Sequence, residues 1–357
     1  MDIEVVRNDL RRARVVDGTP LPADPAQGTA HVRVDSFALT ANNVTYGAVG
    51  DLVGYWRFFE ASEDGWGRIP VWGHGEIVAS AVEGVDVGTR YFGFWPMSTH
   101  TVVQPGSIGS TGFTDRAPHR LDLPAIYNRY QRAAASPLVD DHAEALTSLI
   151  RPLFATSFLI DAWLADEDVF GAGTVVIASA SSKTALGLAH QLSTNKRAEV
   201  VGLTSAPNVE FVVATGAYDR VVPYDDLPDG LGEDRAVFVD FSGDAALVTI
   251  VHQHFGERLE RSVGVGFTHR APGGGDASLP GPKPEFFFAS DHIQRRSAEW
   301  GGAGMAERIN EARAAFDAGP GQTMDIDERV GADEIVRTWE QAVDGDLDPR
   351  HGLICSW

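Results

Sequence analysis

One stretch, from Gly173 to Ser205, does most to limit what this chain can fold into. It opens on an apolar, β-branched run, Thr174-Val175-Val176-Ile177-Ala178, with the length and composition of a buried strand. A turn of small and hydroxyl residues follows, Ser179-Ala180-Ser181-Ser182-Lys183-Thr184-Ala185. Then come a helical pattern, Leu186 to Leu192, and a second strand, Glu199 to Leu203, closing on Thr204-Ser205. Strand, tight turn, helix and strand make one βαβ unit, whose first turn is where a parallel sheet holds a dinucleotide pyrophosphate. The glycines usual in such a turn are missing here.

The alternation continues on both sides. His142 to Leu153 and Ala155 to Leu164 have helical spacing, with Pro152 predicting a break between two helices. Asn208 to Gly216 reads as a helix ended by glycine, and Arg220 to Tyr224 as a short strand. Arg235 to Gly243 reads as a strand with a polar end at Asp240 and Ser242, Ala245 to Phe255 as a helix, and Glu260 to Gly266 as a last strand. Such alternation implies a doubly wound parallel sheet.

The first part of the chain has a different texture. Short alternating strands, glycine turns and no long helix up to Pro105 suggest a small barrel. Two stretches within it, Leu39 to Gly47 and Gly50 to Phe59, are aromatic and polar without clean periodicity, and are expected to be loop. Residues 106 to 141 are also expected to be loop-like, 270 to 284 a loop, and Glu285-Phe286-Phe287-Phe288-Ala289 a buried run. A helix from Asp333 to Val343 and a strand from Gly352 to Cys355 close the chain.

At 357 residues the chain exceeds what one compact core usually takes, so two domains are expected. A net charge of −21 argues against nucleic acid and anionic membranes as partners. No apolar run is expected to reach the roughly 18 to 20 residues that span a bilayer, and Met1-Asp2-Ile3-Glu4 is acidic where a signal peptide would be basic, so a cytoplasmic protein is expected. One cysteine, Cys355, excludes a disulfide framework and a multi-cysteine zinc site.

Several stretches in order resemble the medium-chain dehydrogenase/reductase superfamily, most of all its zinc-free quinone-oxidoreductase-like branch. They are Ala41-Asn42-Asn43-Val44-Thr45-Tyr46 with Gly50, Pro70 to Val78 with Gly73-His74 and Glu76, Ala178 to Gly187, Gly216 to Tyr224, Val237 to Gly243, and Gly264-Val265-Gly266. The resemblance implies an α/β chain in two domains. An N-terminal GroES-like β-barrel over 1–140 carries substrate, and a Rossmann-type dinucleotide domain covers 141–285. Residues 286–357 return partly onto the barrel.

Carried over by position, Ala180, Ser182 and Ala185 stand at the three glycines of the family turn. Alanine suits the third, while the Cβ of Ser182 takes room where the backbone approaches pyrophosphate. Lys183 offers a cation to a phosphate, and Ser181, Ser182 and Thr184 offer hydroxyls. The second strand ends in Thr204-Ser205 with no acid to bond a ribose 2′-hydroxyl, so NADP (NADPH) is expected rather than NAD. Tyr224 is expected to flank the adenine, and the resemblance implies that Ser242 lies at a strand end facing the nicotinamide.

In the substrate region Tyr46 is the candidate general acid toward a substrate carbonyl oxygen, with Asn42 and Asn43 orienting the same oxygen, and Tyr55, Trp56 and Phe59 forming an aromatic wall. His100, His269 and His292 are further candidate acids. No metal is expected, and His74 reads as a satisfied strand histidine. The implied activity is zinc-independent, NADPH-dependent reduction of an unsaturated carbonyl, quinone or ketone, held in an interdomain cleft. The small-molecule substrate is expected to be hydrophobic or aromatic, and a homodimer is expected by analogy. A non-redox lyase, retro-aldolase or hydratase on the same fold stays open, as does a non-catalytic ligand-binding subunit.

Overall fold

A computed structural model describes residues 1–18, 20–134, 141–265 and 279–357. Gly266, His269 and most of the expected 270–284 loop lie outside them. The chain divides into two compact units, Met1–Leu149 with Ile326–Trp357, and Ile150–Asp325. Compared with the expected boundaries, the first unit extends past residue 140. The C-terminal return is split at Asp325, so that only its last part joins the barrel.

The first unit is the GroES-like barrel. Its elements are β1 (Asp2–Val6), β2 (Asp9–Val16), β3 (Ala30–Leu39), α1 (Ala41–Ala48), α2 (Gly50–Val53), β4 (Trp66–Gly67), β5 (Pro70–Ser80), β6 (Arg90–Pro96) and β7 (His100–Val103). β8 (Pro105–Gly109), β9 (Gly112–Asp115) and β10 (Arg129–Arg132) follow. The order β17-β18-β3-β5-β6-β10-β9-β8, with β7 also on β3, makes the main sheet, and β2-β1-β4 a small second one. Here β17 is Asp325–Val330 and β18 His351–Ser356, brought back by the end of the chain with α8 (Ala332–Asp344) between them. Ile335, Trp339 and Ala342 of α8 enter the barrel core, and the Trp339 indole N–H donates to the Leu10 carbonyl at 2.8 Å.

Two expectations are corrected here. The aromatic stretch after Leu39 is helical, because Thr40 and Asn43 form a capping box that starts α1. Residues 106–134 hold three strands, short and rich in glycine and polar residues, so that they lack an apolar alternation to read.

Helix α3 runs from Asp141 to Asp166 without a break, with Pro152 inside it. A proline within a helix costs about 3 kcal/mol, and burial of Leu149, Ile150, Phe154, Leu159 and Ile160 along the same helix offsets that cost. By length and composition α3 is apolar enough to cross a membrane, contrary to the reading above, but half of that segment is buried within the protein. Asp161 on it bonds Arg197 at 2.9 Å, as suits a core helix.

The second unit holds β11 (Thr174–Ala178), α4 (Lys183–Asn195), β12 (Glu199–Thr204), α5 (Val209–Ala214), β13 (Arg220–Pro223), β14 (Ala236–Asp240), α6 (Ala245–Phe255), β15 (Leu259–Gly264), β16 (Glu285–Phe286) and α7 (Ala289–Ala318). β11 and β14 are buried along their whole length, as a parallel sheet covered on both faces requires. Phe287 is buried, but Phe288 is 52% exposed, so the apolar run at 285–289 is not buried throughout: it leaves the sheet edge after two residues.

Candidate active site

The six strands of the second unit pair in the order β13-β12-β11-β14-β15-β16, all parallel. In chain order this is 3-2-1-4-5-6, the doubly wound arrangement whose ligand crevice lies at the strand carboxyl ends, between the first and fourth strands. Those ends carry the turn after β11, Thr204-Ser205 after β12, Tyr224 after β13 and Asp240 to Gly243 after β14. The strand order therefore brings every expected cofactor residue to one edge of one sheet.

The turn is built without glycine. Ser179 adopts the left-handed conformation, φ +54°, that a glycine would take, at a cost of about 1–2 kcal/mol. Its N–H donates to the Tyr224 hydroxyl at 3.0 Å. The Ala180 N–H donates to the Leu203 carbonyl, and the Ala180 carbonyl accepts from Tyr218 at 2.9 Å. Ser182 has φ −71° and caps α4, its hydroxyl accepting from the Ala185 N–H at 3.4 Å. The left-handed residue is thus Ser179, one before the first glycine position assigned from sequence. The Ser181 hydroxyl accepts from Asn208, the Thr184 carbonyl accepts from Ser157, and Lys183 opens α4, half-buried.

Thr204 is buried, and its hydroxyl has no hydrogen-bond partner among the described residues. Asp240, which the sequence reading noted as a polar strand end without giving it a role, is buried at the switch point. Burial pushes its carboxyl up, while the Ser242 hydroxyl and the Ser242 and Gly243 amides pull it down. Ser242 donates to it at 2.6 Å. Tyr224 lies in the field of Asp240 and Asp244, and burial foremost raises its phenol.

Tyr218 and Asn208 were not singled out. The signal for Tyr218 is Gly202: a Cβ there would come 2.7 Å from the Tyr218 ring and 2.9 Å from the Ala180 Cβ. Gly202→Ala should therefore cost about 1–3 kcal/mol, read as a lower melting temperature; an unchanged one would show that the ring moves aside freely.

The barrel unit gathers a second cluster. Tyr46 on α1 accepts a hydrogen bond from the Trp72 indole N–H on β5 at 3.1 Å. Tyr55 and Tyr127 share a hydrogen bond of 2.7 Å between their hydroxyls. The Tyr46 ring lies 4.6 Å from Tyr55 and 5.5 Å, edge-on, from Phe94. Burial pushes the Tyr46 phenol far above its usual range, while hydrogen bonds from Trp72 and Asn42 pull the other way.

The Asn43 side chain is engaged within the barrel unit. Its carbonyl accepts from the Thr40 N–H at 2.8 Å and its amide donates to Pro70 at 3.0 Å, which ties α1 to β5. Trp56 and Phe59 are likewise taken up by packing. Trp56 lies in the barrel core against Gly50 and Gly67, where any Cβ would fall within 2.3 Å of its ring atoms, and Phe59 stacks under Arg120 at 4.5 Å. Of the expected aromatic wall, Tyr55 and Phe59 pack in the buried cluster of Tyr46, and Trp56 lies apart from it.

His74 is buried, its Nδ1 3.3 Å from the Ser148 hydroxyl and 3.5 Å from Glu144. Among the described residues no group of three or more potential metal ligands gathers. His100 and His292 are partly shielded, which lowers both imidazoles, and neither lies in these clusters.

The GroES-like barrel and the 3-2-1-4-5-6 sheet define the fold of the medium-chain dehydrogenases/reductases. The chain belongs to the family described as protein of unknown function (DUF2855), which matches residues 37–348. No curated protein matches the sequence. Among solved structures, CurA from Vibrio vulnificus, in complex with NADPH, is similar at a TM-score of 0.59 and 12% identity over 95% of this chain and 93% of that one. Mycobacterial Rv1454c, also with NADPH, aligns at 0.56 and 15% over 100% and 99%. A putative NADPH:quinone reductase from Mesorhizobium loti aligns at 0.52 and 14% over 93% and 88%.

Proposed function

We propose that this protein is an NADP(H)-dependent reductase of a small conjugated carbonyl or quinone, working without a metal. The observation that carries the reading is the parallel sheet in 3-2-1-4-5-6 order, with a hydroxyl-rich, lysine-bearing turn and the acid-free Thr204-Ser205 end at its switch point. Similarity in fold to structures bound to NADPH supports the same cofactor. Bound NADPH would supply hydride. Lys183 and the hydroxyls of Thr184, Thr204 and Ser205 fit its phosphates, and Tyr46 would supply the proton to the acceptor oxygen. The reading includes a cytoplasmic homodimer.

One observation favours a non-redox enzyme on the same fold. The turn amides of Ser179, Ala180 and Ser182, which a glycine-rich turn would leave facing pyrophosphate, already donate within the protein. Titration with NADPH and NADH, followed by nicotinamide fluorescence, separates the two readings, because absence of binding by either would end the reductase proposal. Lys183→Ala should weaken NADPH by about tenfold and NADH less, if the ammonium meets the 2′-phosphate. Equal weakening would move it to the pyrophosphate.

A further inference from the structure

We propose that Trp72 is the positioning residue for Tyr46: its indole N–H orients the phenol and stabilises the charge left on the phenol oxygen as the proton departs. The inference rests on the reductase reading above. Trp72 sits on β5 opposite Phe94 of β6, and rings hold its own ring in place. It stacks on Phe92 at 5.6 Å with 17° between the planes, and its centroid is 4.9 Å from Phe94 and 5.9 Å from Tyr127. The indole N–H is thereby fixed 3.1 Å from the Tyr46 oxygen before any ligand arrives.

Two consequences follow from the direction of that bond. Tyr46 accepts it, so its own O–H remains to donate. The phenol is also buried, which keeps it protonated and makes a bare phenolate costly. A fixed N–H aimed at the oxygen lowers that cost at the moment the charge develops.

With an enone, hydride from NADPH adds at the β-carbon and the C=C electron pair moves toward the carbonyl oxygen. That oxygen takes the Tyr46 proton as the phenol O–H bond breaks. NADP⁺ and the Tyr46 phenolate remain, and water returns the proton to Tyr46. The enol isomerises to the saturated ketone. Trp72 keeps its proton throughout.

The test uses 3,5-difluorotyrosine at position 46, whose more acidic phenol can be titrated by absorbance without cofactor or substrate. Trp72→Phe in that background should make the phenol about tenfold weaker as an acid; an unchanged titration overturns the proposal. With native Tyr46, Trp72→Phe should lower kcat for 9,10-phenanthrenequinone about tenfold, leaving KM and NADPH affinity unchanged. A rise in KM alone would also overturn it.

Should Trp72→Phe fold poorly, 3-benzothienylalanine at position 72 keeps the indole shape and replaces the N–H by sulfur. The same weakening of the phenol is then expected, and its absence overturns the proposal. Failure of the unaltered protein to bind NADPH would end the reductase reading instead, and the titration would still decide whether Trp72 tunes Tyr46.

Discussion

Tyr46→Phe is expected to lower the turnover of NADPH-dependent carbonyl reduction by about 10²- to 10⁴-fold, while NADPH affinity stays unchanged. The variant removes one hydroxyl and keeps the ring that packs on Tyr55 and Phe94. Its structural cost is the loss of an acceptor for the half-buried Trp72 N–H, about 1–3 kcal/mol, visible as a modest fall in melting temperature. Because burial holds the Tyr46 phenol protonated well beyond neutrality, the unaltered enzyme should lose no rate through this group across the neutral range. Steady-state kinetics beside a nicotinamide fluorescence titration decide the matter. A variant with undiminished kcat would remove Tyr46 from the reaction.

The second large effect concerns stability. Arg90 is buried on β6 and ties three elements together. It makes paired bonds of 2.5 and 2.8 Å to Glu144 on α3 and one of 3.1 Å to Asp35 on β3. Removing one partner from such a network leaves the others as poorly solvated charge, so Arg90→Met should destabilise the protein by about 3–5 kcal/mol, measured by denaturant unfolding.

The pH dependence gives an internal check. Burial alone would push the Glu144 carboxyl up, but the Arg90 hydrogen bond, with the charges of His74 and Arg90, holds it below its ordinary 4.5. A carboxyl lowered in the folded state contributes stability that is present above its unfolded value and is lost as pH falls through the folded one. In Arg90→Met burial is opposed by His74 alone, so the Glu144 carboxyl sits higher than in the unaltered protein. The gap between the two proteins should therefore narrow on acidification below pH 4.5. A gap that stays constant through that range would show that Glu144 carries no charge in the pair.

What could be read in advance divides along physical lines. The parallel sheet was legible because buried strands covered on both faces are written as unbroken apolar runs, as in Thr174 to Ala178 and Ala236 to Val239. The positions of Tyr46 beside Asn42, and of Lys183 at the start of α4, follow from local order in the chain. The roles of Asn43, Trp56 and Phe59 were not legible, because an Asn that caps a helix and a Trp seated against two glycines look the same in one dimension as pocket residues. Trp72 escaped notice for a related reason. Its partner is 26 positions away, and only the pairing of β5 with its neighbours brings it to Tyr46. Pro152 misled because a local helix breaker was weighed without the long-range burial around it.

The sheet of the barrel unit closes with β18, which lies beside β3 with Leu353 opposite Leu39 and Cys355 opposite Phe37. The whole of the second unit lies between these two strands in the sequence. On a ribosome, the barrel residues up to Leu149 emerge without the strand that covers β3 and without α8, which fills the core beneath it. The Rossmann-type unit, Ile150–Asp325, is contiguous and lacks nothing once it has emerged. Folding during synthesis therefore runs against the order of the chain: the later unit can complete first, and the earlier one waits with an open sheet edge until residues 326–357 arrive.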